Sequence, residues 1–332
     1  MTTVFITASS SRQGDTLRIP TVRRAAPAPT PAPALAVVLA GLLAAAACGS
    51  SAAGDSGTGK LKVVATTTQV ADFAREIGGG KVAVTQILRP GVDPHDYEPS
   101  PADIQAIAQA DVVVENGVHL EKWLDQTIES TGFHGTLVDT SKGVTVRRGE
   151  EAAGDPHIWH NPKNAEVMSR NIAAAFGAED PGDKVAFDAN LASYTARLEN
   201  LDTWIARQIG TLPPADRKLV TNHDAFGYYV DRYHLTFVGS IIPSFDTSAE
   251  LSGRQLNTLV ARIKATGVKA IFSESSLPPK TAEAIGKEAG VQVEAGENSL
   301  YGDTLGPEGS AGATYLDMER HNTTTIVDAL KG

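Results

Sequence analysis

The chain has 332 residues, 42% hydrophobic and 20% charged, ordinary globular composition for one large or two mid-sized domains. Its 29 basic and 39 acidic residues leave a formal net charge of −10, which argues against nucleic acid or anionic lipid as a partner. The single cysteine, Cys48, excludes an intrachain disulfide and a thiolate metal cluster.

Residues 1–47 read as an export signal. Arg23 and Arg24 precede an apolar run of thirteen residues, Leu35 to Ala47, too short to span a bilayer comfortably. Cys48 follows Ala-Ala-Ala and precedes Gly-Ser-Ser, the layout of a bacterial lipoprotein cleavage site, although Ala45 stands where that pattern prefers Leu. Cys48 is therefore expected to be the lipidated first residue of the mature chain, and residues 48–60, rich in Gly, Ser and Ala, a flexible linker. The expected location is extracytoplasmic, anchored to the outer face of a bacterial cell membrane. Removing residues 1–47 takes away four basic groups and one acid, moving the net charge from −10 to −13, a balance suited to handling cations. The stretch Gly54 to Lys60, GDSGTGK, imitates a phosphate-binding loop. Leu61 follows it where Ser or Thr is needed, and no strand precedes it.

From residue 61 onward, short apolar runs alternate with helical patterns. Strands are predicted at 61–66, 81–88, 111–116 and 135–140, with helices at 68–78, from Ser100-Pro101 onward and at 119–131. A helix follows Asn161. Another runs unbroken from Lys184 to Ile209, with an apolar stripe of Leu191, Tyr194, Leu198, Leu201, Trp204 or Ile205, and Ile209. At ~1.5 Å per residue that helix is about 40 Å long, and Pro213-Pro214 end it. The alternation then resumes: strands at 218–223, 235–241, 268–275 and 291–296, and helices at 224–234, 252–267, 279–290 and 314–332. This rhythm predicts an α/β fold of two similar lobes with mainly parallel sheets, bridged by one long helix. The expected limits are 61–182 for the N-terminal lobe, 183–212 for the bridge and 213–332 for the C-terminal lobe.

The tripeptide Asp-Pro-His occurs twice, at 93–95 and 155–157, in a chain with only eight histidines. Pro removes a backbone donor and stiffens the chain just before the His, and the Asp can cap a turn or orient a neighbour. One copy alone reads as a turn. Two copies, with His223 closing the strand KLVTNH and Asp303 following the last strand, read as a site. All four positions lie at or beyond strand ends, where open α/β sheets bind ligands, and each lobe supplies two. Three imidazoles and one carboxylate suit a divalent transition metal, Zn²⁺ above all; Mn²⁺ prefers more oxygen. His160 and Trp159 are placed to neighbour the site. Glu274 is placed either to orient a ligand imidazole or to cap a helix. His119, His134, His234 and His321 lack partner spacing. Ordinary imidazole titration predicts that metal affinity falls below about pH 6.

The runs PGVDPHDYEPSPADI, DPHIWHNPKNA, TNHDAFGYYVDRYHL, FSESSLPPKTAEAI and YGDTLGPEGSAGATYLDMERHNTTTIVDAL, in that order over about residues 61–330, resemble the zinc/manganese solute-binding lipoproteins of ABC importers. The resemblance implies two α/β lobes bridged by a rigid helix, a buried metal between them, and ligands at the positions of His95, His157, His223 and Asp303. Some manganese-binding members carry Glu at the position of His223, so His here favours zinc and leaves manganese open. The long His-rich loop of many periplasmic zinc members is replaced by VTVRRGEEAAG, which ends near Glu150 and Glu151. The implied function is capture of Zn²⁺ and delivery to a membrane permease on a separate chain, by a monomer that is not an enzyme; an adhesin role is a further option. The rival of another class is a secreted zinc hydrolase. Catalytic zinc keeps a water position and a nearby general base, whereas this chain has no HExxH and offers a fourth protein ligand.

Overall fold

The computed structural model describes residues 59–149 and 152–331. The export signal, Cys48, most of the linker, and Glu150 and Glu151 lie outside the described residues.

In the N-terminal lobe, β1 (Leu61–Ala65) leads into α1 (Thr68–Gly78), whose first turn is capped by the Thr67 hydroxyl accepting from Val70 N. There follow β2 (Val82–Gln86), α2 (Pro101–Ala108), β3 (Val112–Glu115), α3 (Leu124–Thr131), β4 (Thr136–Asp139) and α4 (Pro162–Glu179). Ser100 and Asp103 form a reciprocal capping box ahead of Pro101, and Asn161 caps α4 ahead of Pro162. The long α5 (Lys184–Gly210) carries the chain to the second lobe: β5 (Lys218–His223), α6 (Gly227–Tyr233), β6 (Thr236–Ile242), α7 (Gly253–Thr266), β7 (Ala270–Phe272), α8 (Lys280–Ala289), β8 (Gln292–Glu294) and α9 (Tyr315–Lys331). Each lobe holds a four-stranded, all-parallel sheet, ordered β2-β1-β3-β4 in one and β6-β5-β7-β8 in the other. The lobes thus share a sheet topology.

Several elements are shorter than periodicity predicts, β8 and β2 among them, and three show what the local chain does instead. The helix expected from His119 starts at Leu124, because Gly117, Val118 and His119 take φ of 86°, 54° and 59°, incompatible with a right-handed helix. The buried Glu121 carboxylate holds that turn by accepting from Asn116 N at 2.7 Å and Gly117 N at 3.2 Å. The helix expected from Asp224 starts at Gly227, and Asp224 N instead donates to Ser244 O at 3.2 Å. The strand expected over 268–275 keeps only Ala270–Phe272; Glu274 leaves the ladder, bridging Leu300.

The apolar stripe of α5 is buried at Phe187, Tyr194, Leu198, Leu201, Ile205 and Ile209. It packs against α1, α4 and α9. One continuous apolar core joins N-lobe residues such as Val63 and Val112 to C-lobe residues such as Leu219 and Phe272. The chain's last helix reinforces this brace: Tyr315 N donates to Asp72 Oδ2 at 3.0 Å, and Tyr315 Oη donates to Trp159 O at 2.7 Å. Two lobes sharing a core cannot hinge apart without exposing apolar surface, at a cost of about 25 cal/mol per Å².

Candidate metal centre

His223 is the last residue of β5, and His95, His157 and Asp303 sit in loops beyond β2, β4 and β8. This is the carboxyl-end crevice of both sheets. The four side chains come together there: one ligand atom from each lies within 4.8 Å of every other, the only such cluster among the described residues. His157, His223 and Asp303 are fully buried, and His95 is 9% exposed. His157 Nε2 lies 3.2 Å from both His95 Nε2 and His223 Nε2. Asp303 Oδ1 lies 3.3 Å from His223 Nε2, 3.4 Å from His157 Nε2 and 3.9 Å from His95 Nε2. The edges of a tetrahedron around zinc with nitrogen or oxygen ligands are about 3.3–3.4 Å, so the spacing fits that ion. Neither Asp303 oxygen meets a hydrogen-bond donor of acceptable geometry among the described residues. A buried carboxylate without donors is costly unless a cation neutralises it.

Each ligand histidine is held through its backbone N–H, and two of them through the ring as well. In both Asp-Pro-His copies the Asp accepts the backbone N–H of the His two residues on, Asp93 Oδ1 from His95 N at 2.9 Å and Asp155 Oδ1 from His157 N at 3.0 Å. The repeated motif is therefore one turn used twice. Asp155 Oδ1 also lies 2.8 Å from His157 Nδ1, and its other oxygen accepts from Arg147 Nη1 at 2.6 Å. Glu274 does the same for His223, accepting its backbone N–H on Oε1 at 2.9 Å and facing its Nδ1 with Oε2 at 2.8 Å. A carboxylate at Nδ1 keeps the proton there and turns the Nε2 lone pair toward the cluster. Gly302 makes room for Glu274: a Cβ at that position would overlap its Oε2. The Asp303 loop is stitched to the other lobe by Gln69 Nε2 donating to Asp303 O at 2.9 Å and Leu305 N donating to Thr68 Oγ1 at 2.8 Å.

These contacts polarise the site. Burial lowers the affinity of His157 for a proton, but the hydrogen bond of Asp155 and the negative charge of Asp303 outweigh it and push the imidazole up to about 9. His223 is likewise raised, Asp303 and Glu274 overcoming burial. His95 has no carboxylate behind its ring, so burial dominates and holds it down at about 3. Burial would raise Asp303, yet the surrounding imidazoles keep it well below the usual carboxylate range.

Of the flanking residues expected from sequence, Trp159 is buried with its ring 5.4 Å from that of His157, and its Nε1 donates to Gly302 O at 3.1 Å. His160 stays outside the cluster. Its Nδ1 faces Glu319 Oε1 at 3.0 Å, its Nε2 faces Gly302 O at 3.0 Å, and its ring stacks on Phe226. His119, His134, His234 and His321 also lie outside it. Sequence reasoning missed Arg147, Gln69 and Thr68. Arg147 sits in an unpatterned loop, and the other two belong to a Thr-rich helix start that carries no metal signature.

Two parallel α/β lobes braced by one helix, with a buried cation-type cluster between them, define a bilobed solute-binding protein. Residues 63–329 match the ZnuA family, described as zinc-uptake complex component A, periplasmic, and the chain belongs to that family. It is 35% identical over 304 residues to the manganese-binding lipoprotein MntA of Bacillus subtilis, covering 90% of this chain and 98% of that one. It is 30% identical over 306 residues to the manganese ABC transporter substrate-binding lipoprotein PsaA of Streptococcus pneumoniae, covering 89% and 97%. Among solved structures it resembles the periplasmic zinc-binding protein TroA of Treponema pallidum, with a TM-score of 0.76, 32% identity, and 82% and 99% of the two chains covered. The chain is accordingly a metal-binding substrate-binding protein of an ABC importer, which works with a membrane permease, and not an enzyme. Among the described residues no helix is long and apolar enough to cross a membrane.

Proposed function

We propose that this protein captures Zn²⁺ with His95, His157, His223 and Asp303 and hands it to the permease of its importer. The observation that carries this reading is the convergence of three imidazole Nε2 atoms on one buried carboxylate that lacks hydrogen-bond donors. Three nitrogens and one oxygen at tetrahedral spacing favour zinc over manganese, and zinc stands above manganese in the general affinity order of divalent ions. Glu274 and Asp155 orient two of the ligand rings in this reading, and Trp159 walls the site. All four donors come from one chain, so a monomer suffices. Cys48, lipidated after removal of residues 1–47, would tether the folded lobes outside the membrane through linker 48–60.

A second reading has Mn²⁺ as the cargo, favoured by the names of MntA and PsaA. Competition titration with a chromophoric chelator separates the two. The zinc reading expects one ion per chain, a zinc affinity at least tenfold above that for manganese, and loss of binding in His157→Ala. Equal affinities, or a manganese preference, would transfer the assignment to manganese. An unaltered His157→Ala variant would break the ligand set itself.

A further inference from the structure

The loop between β6 and α7, residues 243–251, crosses from the C-terminal lobe to the N-terminal lobe beside the metal cluster. Three consecutive residues in it each engage the opposite lobe. Phe245 is buried, with its ring 6.5 Å from that of His157, and Gly149 packs so closely on it that a Cβ there would overlap the ring. Asp246 pairs with Lys122, which follows the turn of positive-φ residues Gly117, Val118 and His119. Thr247 Oγ1 donates to Asp93 Oδ2 at 2.6 Å, and the other oxygen of that carboxylate accepts the backbone N–H of His95 at 2.9 Å. The loop is also organised internally, Asp246 Oδ1 accepting from Ser248 N at 2.9 Å and Ser248 Oγ at 2.7 Å.

The position of this loop matters because of an asymmetry in the cluster. His157 and His223 each have a carboxylate fixing the ring, and both are fully buried. His95 has only its backbone held by Asp93, and it alone of the four retains solvent exposure. His95, the least buried of the four, marks the corner of the cluster nearest solvent. That corner is the one whose support runs through Thr247.

We propose that Thr247 is a positioning residue: acting through Asp93, it locks His95 from the opposite lobe, and the 243–251 loop it anchors is the latch that sets how fast the cation escapes. The proposal rests on the reading of His95 as a ligand. Removing a hydrogen bond to a carboxylate is worth about tenfold or more in an equilibrium, and in this proposal the loss falls on the release step because the hydrogen bond holds the support of a ligand that must move for the cation to leave. The Lys122–Asp246 pair is half-exposed, so its share is smaller and screened by salt.

The test is stopped-flow release of Zn²⁺ from the full-length protein into excess chelator. Thr247→Val is expected to release zinc about tenfold faster, with an association rate within about twofold of the parent, and Thr247→Ser to restore the parental rate. In the parent, raising salt should speed release modestly, and Lys122→Ala should remove that salt dependence. Thermal midpoints of the metal-free variants check folding, and Thr247→Ala replaces the Val variant if the latter is destabilised. His95→Ala separates the two ideas. If it binds zinc weakly while the Thr247 variants release at the parental rate, the latch is refuted and the ligand assignment stands. If His95→Ala binds like the parent, the ligand assignment fails and the latch with it.

Discussion

Replacing Glu274 by Gln changes one oxygen to an NH2 and removes one buried charge. In the native site Glu274 Oε1 accepts from the backbone N of His223 at 2.9 Å, and Oε2 stands in ion-pair contact with its Nδ1 at 2.8 Å. A carboxamide has one acceptor. If its oxygen stays on the backbone N–H, its NH2 faces Nδ1, which must then become the acceptor. The ring proton moves to Nε2, and the lone pair that would bind the cation is lost. If the amide flips, its NH2 is driven against a backbone N–H, leaving a buried donor unpaired at about 1–3 kcal/mol. Either way the variant spends the same order of free energy, which corresponds to a 10–100-fold loss of zinc affinity. One effect opposes this. Glu274 helps raise the proton affinity of His223, so the variant has less proton competition. That relief grows as pH falls and shrinks as it rises, so the tautomer penalty shows most clearly in strongly alkaline buffer and the gap narrows on acidification. Chelator competition at pH 9.5 and 7.0 measures both limbs. Affinity within twofold of the parent at pH 9.5 would refute the claim that Glu274 sets the His223 tautomer.

Binding should release protons well above the titration range of free imidazole. His157 holds its proton up to about pH 9 and His223 is also raised, so affinity should fall as pH drops below about 9, and not only below the pH of about 6 that unperturbed histidine predicts. Calorimetry at pH 7.5 in buffers of different ionisation enthalpy should record net proton release, and none would contradict the raised imidazoles. Elsewhere, burial raises Asp72 to about 6, only partly offset by its bond from Tyr315 N. A carboxyl raised above its unfolded value of 3.8 loses stability as pH climbs from about 4 to about 6, because the unfolded chain ionises first. Asp72→Asn keeps an acceptor for Tyr315 N and cannot ionise, so it should be more stable than the parent by about 1–3 kcal/mol at pH 8 and indistinguishable at pH 4. Denaturant melts at the two pH values decide this; a destabilised variant at pH 8 would show that the ionised form is well solvated.

Much of this molecule is legible in one dimension. Period-two and period-3.6 apolar patterns are local properties, so the strand and helix alternation, the α5 stripe from Tyr194 to Ile209 and the caps at Ser100 and Asn161 can all be read from neighbours in the chain. The cluster was visible because its residue types are rare and marked: a doubled Asp-Pro-His, a His closing a strand, an Asp after the last one. What the chain order does not contain is which groups stand behind those side chains. Glu274 is 51 residues from His223, and Thr247 is 154 from Asp93. Neither pairing follows from spacing: the first depends on β5 and β7 lying side by side in one sheet, the second on how two separately wound sheets are set against each other. That setting comes from the core shared by α1, α5 and α9, where burial of apolar surface is non-directional and leaves no motif. The sequence by itself determined most of the elements and the four residues that cluster; only tertiary packing decided what stands behind them, Glu274 at His223 within one lobe and Thr247 at Asp93 across the two, since both contacts join residues far apart in the chain.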